Sequence, residues 1–99
     1  MDEETLLKEY NRSRQLIEEQ EDDLKSIQKK SERLLEDTLE ELHYVLRDIA
    51  VDNEAFNQAK WEMEQENAQF EEQILQETKA LQKKEEEAES IYRSKLKEL

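Results

Sequence analysis

Neither glycine nor proline occurs anywhere in this chain of 99 residues. Positive φ angles therefore have no strain-free residue, and nothing in the sequence stops a helix sharply. A compact domain of this length needs several turns, and turns draw on Gly, Pro and Asn. Glu, Lys, Gln, Leu, Ala and Arg, all good helix formers, dominate instead. The composition excludes a compact sheet protein and a bundle built on several tight turns. The expected class is all-α.

A hydrophobic fraction of 34% beside a charged fraction of 43% cannot fill a globular core. Such a chain is either disordered or a helix with a narrow apolar seam. The formal net charge of −13 opposes binding to nucleic acid or to anionic membrane surfaces. No apolar run approaches the ~18 residues of a membrane span, and no signal peptide is evident. Disulfides and thiolate metal sites need cysteine, and there is none. An intracellular, cytoplasmic setting is the default expectation.

Periodicity decides between disorder and helix. Asp2, Glu3 and Glu4 put negative charge where a helix N-terminus favours it. Leu6, Tyr10, Ile17, Leu24, Ile27 and Leu34 then follow heptad spacing, with Ser13, Gln20 and Ser31 as polar interruptions. Residues 1–34 read as a thin coiled-coil segment. Near residues 34–39 the frame slips by one, either through a local 11-residue step or at a helix break capped by Thr38. Residues 35–99 form the main segment, strongest over 35–75. Leu35, Leu42, Ile49, Phe56, Met63 and Phe70 recur every seven residues without a miss. The alternate column is Leu39, Leu46, Asn53, Lys60, Asn67, Ile74, Leu81 and Ala88, whose polar members can set register. Beyond Leu81 the seam weakens at Glu77 and Lys84 and recovers with Ile91.

Two architectures fit that pattern. The in-phase column across residue 52 favours one long amphipathic helix of about 150 Å, forming a coiled coil or bundle with other helices. The alternative is an antiparallel hairpin turning at Val51-Asp52-Asn53-Glu54, where Asn and Asp suit a turn and a cap. That turn would set Leu42 near Met63, Leu35 near Phe70 and Leu24 near Leu81.

The sequence points to function by packing. Leu35, Leu39, Leu42, Leu46, Ile49, Phe56, Trp61, Met63, Phe70, Ile74 and Leu81 are the expected partner-interface residues. Tyr44, Val45, Ala50, Val51, Ala55 and Ala59 widen the apolar surface around them, and Trp61, Ala68 and Leu75 form a flanking stripe. Trp61 and Tyr44 are natural anchors. Residues 61–78 hold six glutamates and no basic residue. Glu64, Glu71 and Glu85 on one flank, with Glu66 and Glu87 on the other, disfavour parallel self-pairing. The expected partner is another helical chain with basic flanking positions, or an antiparallel copy. The reading is a structural or adaptor subunit of a hetero-oligomeric helical complex, or else a hairpin tether or chaperone-like arm.

Material for catalysis is scarce. Without Gly there is no phosphate-cradling loop, and one His with no Cys leaves little for a nucleophilic triad. Glu40-Glu41-Leu42-His43 contains the Glu-x-x-His spacing of carboxylate-bridged di-metal bundles, but the two side chains do not share the seam face. The cluster Glu18, Glu19, Glu21, Asp22 and Asp23 lacks the glycine of a calcium loop and reads as solvated surface. No enzyme activity, cofactor or metal is expected.

Overall fold

The computed structural model describes residues 2–47 and 54–99. Two helices account for almost all of them, α1 from Glu3 to Arg47 and α2 from Glu54 to Lys97. They pack against each other as a helical hairpin, and the described residues contain no strand. The molecule is all-α, as its composition requires. The single continuous helix favoured by the phase of the heptads is not what forms, and the hairpin alternative is. Its expected turn at Val51-Asp52-Asn53-Glu54 lies outside the described residues except for Glu54.

Local chemistry explains each helix. Asp2 caps α1: its Oδ1 accepts the Thr5 amide at 2.8 Å and its carbonyl accepts the Leu6 amide at 3.1 Å. The hydrogen bonds from Thr5, side chain first and backbone second, hold the Asp2 carboxyl below the ordinary carboxylate value. Exposed ion pairs at i, i+4 spacing follow the helix surfaces, among them Glu4–Lys8, Arg14–Glu18, Lys60–Glu64 and Glu89–Arg93. Each adds a few tenths of a kcal/mol. Helix α1 is unbroken through Thr38, so the capping-box motif there does not start a new helix.

Burial shows which residues face the other helix. On α1 the half-buried or buried positions begin with Leu6 and Tyr10 and continue as Ile17, Glu21, Leu24, Gln28, Ser31, Leu35, Thr38, Leu42 and Leu46, the last nine in steps of four and three, with Leu39 beside Thr38. This corrects the sequence frame. Ile27 and Leu34 are exposed, and the seam takes Gln28 and Leu35, one residue further on. A helix turns ~100° per residue, so only one of two neighbours can face inward. The column Glu21, Gln28, Leu35 and Leu42 passes 34–39 without a slip. The only doubling is at Thr38 and Leu39, both half-buried.

On α2 the matching positions include Phe56, Ala59, Met63, Asn67, Phe70, Ile74, Thr78, Leu81, Glu85, Ala88 and Tyr92. Four expected seam positions are replaced by neighbours. Lys60 is exposed beside half-buried Ala59, Glu77 beside half-buried Thr78, Lys84 beside half-buried Glu85, and Ile91 beside half-buried Tyr92. The change of frame in α2 falls at Phe70 and Glu71, both half-buried.

The chain divides into two compact units. The terminal unit joins Met1–Lys25 to Leu75–Leu99, and the central unit is Ser26–Ile74. Each is built of one stretch of α1 and one of α2, because neighbours in space lie across the hairpin. In the terminal unit Leu6, Ile17 and Leu81 are buried, and the rings of Tyr10 and Tyr92 stack at 4.6 Å and 10°. The Arg14 guanidinium lies 5.7 Å from the Tyr10 ring centre. In the central unit Gln28 Nε2 donates to Glu71 Oε2 across the seam at 2.7 Å. His43 there meets the edge of Phe56, with centroids 4.9 Å apart. Both central pairs differ by between one and two turns from the register that a turn at 51–54 would give.

Candidate protein-interaction surface

The residues expected to hold a partner divide into two groups. Leu35, Leu39, Leu42, Leu46, Phe56, Met63, Phe70 and Ile74 are half-buried, and Leu81 is 6% exposed. An isolated helix would leave such side chains open, so the hairpin itself covers much of this stripe. Trp61 is different: it is 58% exposed. Ile49 lies outside the described residues, as do Ala50, Val51 and Asn53.

What remains open is the material for binding other chains. In the central unit Ile27, Leu34, Tyr44, Val45 and Trp61 are exposed, with Leu34 at 67%. Tyr44 is steadied by the Arg47 guanidinium, 4.8 Å from its ring centre. Leu34 stands on the wall of a groove of about 270 Å³ between the helices, with Leu35, Thr38, Met63 and Phe70. Asn67 and Ser31 supply the polar lining, and Glu66 is its single charged residue. An apolar helix face could settle there, and a cation on that helix would meet Glu66.

The terminal unit has a larger groove of about 460 Å³. Its floor is Leu6, Tyr10, Ile17, Ala88 and Tyr92, and Leu16 and Ile91 stand on its two walls. Sequence reasoning missed this groove. It credited the region with a thin seam and assigned Leu16 no role, because Leu16 sits outside the heptad frame. The signal was available only as Leu16, an apolar residue unexplained by the seam.

His43 is exposed and engages Phe56 through its ring. Among the described residues no group of three or more His, Asp or Glu side chains gathers in a way that could hold a metal ion. Nor is any helix among them long and apolar enough to cross a membrane. No known family model matches the sequence, and neither the curated proteins nor the solved structures contain a match, so function has to be read from the surface itself.

Proposed function

We propose that this hairpin is an intracellular adaptor or structural subunit that binds by packing, not by catalysis. Its helices close one coiled-coil-like seam on each other and offer the apolar side chains outside that seam to helices of another protein. The observation that carries the reading is the open set in the central unit: Leu34, Tyr44, Val45 and Trp61 stay exposed after the hairpin has formed. Scattered single apolar residues are ordinary on a surface, but a tryptophan and a tyrosine within 18 residues of sequence are the residue types that dominate interface energetics.

Charge narrows the partner. The stretch from Trp61 to Thr78 carries six glutamates and no Lys or Arg. A helix with basic residues beside its apolar stripe satisfies both features, and its binding weakens as salt rises. The hairpin form also supports a second reading, an arm that holds another chain's exposed helix before assembly. The test is retention of co-expressed partners from the native source by tagged wild-type chain and by Trp61→Glu. The proposal expects a helical partner that the wild type keeps, that Trp61→Glu loses, and that elutes as salt increases. Identical retention by both proteins, or binding indifferent to salt, would remove the basis for it.

A further inference from the structure

We infer that the groove of the terminal unit is a self-association site, in which two copies pack face to face. The groove differs from its central counterpart in charge. Four charged residues line it, the acids Glu9 and Glu87 and the bases Lys84 and Lys95, so the lining is formally neutral. The central groove has Glu66 and no cation. Self-pairing through the central groove puts two like charges into one apolar space, whereas self-pairing through the terminal groove sets the one charged residue of its α1 lining, Glu9, against the basic residues of its α2 lining.

The geometry supplies the match. Tyr10 stacks on Tyr92, so Glu9 lies nearly level with that part of α2, and Lys95 follows within one turn. A two-fold axis parallel to the helices lays the α1 segment of one copy over the α2 segment of the other. Glu9 of each copy then faces Lys95 of its mate, twice per dimer. Leu16 and Ile91, each more than half exposed, meet across the axis and close over the floor. Such an interface is isologous and needs no third component.

The size is sufficient. The whole face of the terminal unit, two helical segments of about 25 residues each about 37 Å long and about 10 Å wide, offers at most roughly 750 Å² per copy. A pair that covers that whole face, and not the groove alone, buries up to roughly 1,500 Å², within the range of specific complexes. A dimer also doubles the number of central surfaces, which suits an adaptor through avidity.

Sedimentation equilibrium on the full chain, from about 1 to about 200 µM, tests the inference. A chain of 12.0 kDa should shift to twice that mass within this range. Leu16→Glu with Ile91→Glu should weaken the dimer at least about tenfold while circular dichroism stays unchanged, and Leu34→Glu should leave the mass curve alone. The rim gives a test independent of the apolar floor. Glu9→Lys weakens the dimer, and adding Lys95→Glu restores it. A wild type that stays monomeric throughout, a dimer indifferent to the groove variants, or a charge reversal without rescue would overturn the inference. Partner retention through Trp61 is a separate readout, so the two proposals fail separately.

Discussion

Leu34 and Leu35 are the same residue type at adjacent positions, yet they occupy different faces of α1. Replacing each in turn with Gln tests the packing directly. Leu and Gln have similar helix propensity, and the change adds no charge, so intrinsic helix stability stays nearly constant. Leu34 is 67% exposed. Its removal should cost no more than about 0.5 kcal/mol, the usual range for surface changes. Leu35 is half-buried on the groove wall beside Met63 and Phe70. Losing its three outer carbons at about 0.8 kcal/mol each, halved for partial burial, costs about 1.2 kcal/mol. A half-buried amide without a partner adds about 1 kcal/mol. The expected difference between variants is about 2 kcal/mol, close to a 30-fold change in the unfolding equilibrium. Urea unfolding followed by circular dichroism at low protein concentration, with the slope unchanged between variants, reads this difference. Equal destabilisation by the two variants would refute the assigned face and restore Leu34 to the seam.

Other outcomes follow from named contacts. Glu71→Ala should cost about 1 kcal/mol in the same assay by stranding the Gln28 amide, whereas converting both to Leu should be neutral or stabilising. Leu81→Ala should cost about 2–4 kcal/mol in the same assay, because it empties a buried site in the seam. Asp2→Ala should speed amide exchange at Thr5 without altering the rest of α1. Because the Asp2 carboxyl is held below 3.8, the cap is fully present above that value and is lost as pH falls through the lower folded one, so the same amide should exchange faster in acid when corrected for intrinsic rate. The single tryptophan should emit like water-exposed indole and be fully open to acrylamide in the free chain; a blue-shifted, protected Trp61 there would contradict its placement.

Helix was legible in the sequence because its cause is local: no Gly, no Pro and an N-terminal Asp that caps. The choice between rod and hairpin was not, because an in-phase heptad column is satisfied equally by a mate from another chain and by the chain's own second half. The frame over 24–35 misled for a related reason. Ile27 is more apolar than Gln28, so hydropathy alone puts it inside, and Leu34 and Leu35 are the same residue type, so hydropathy cannot choose between them. Instead Gln28 faces Glu71, and hydrogen bonding makes a polar seam position tolerable. Trp61, which the sequence sets on a flank of the heptads, stays exposed, but Leu16 became visible only when Ile91 was found lining the same groove.

Among the described residues only three side chains are buried, and this has a corollary in linkage. Leu6, Ile17 and Leu81 all lie in the terminal unit, and the central seam is half-open along the described residues. For a fold of that kind, the concentration of whatever binds it becomes a folding variable. A ligand of the folded form at 100 times its Kd adds about 2.7 kcal/mol, comparable to what truncating Leu81 removes. The melting temperature of this hairpin should therefore report on its company as much as on its sequence, and a value measured on the lone chain is a lower bound on its stability in an assembly.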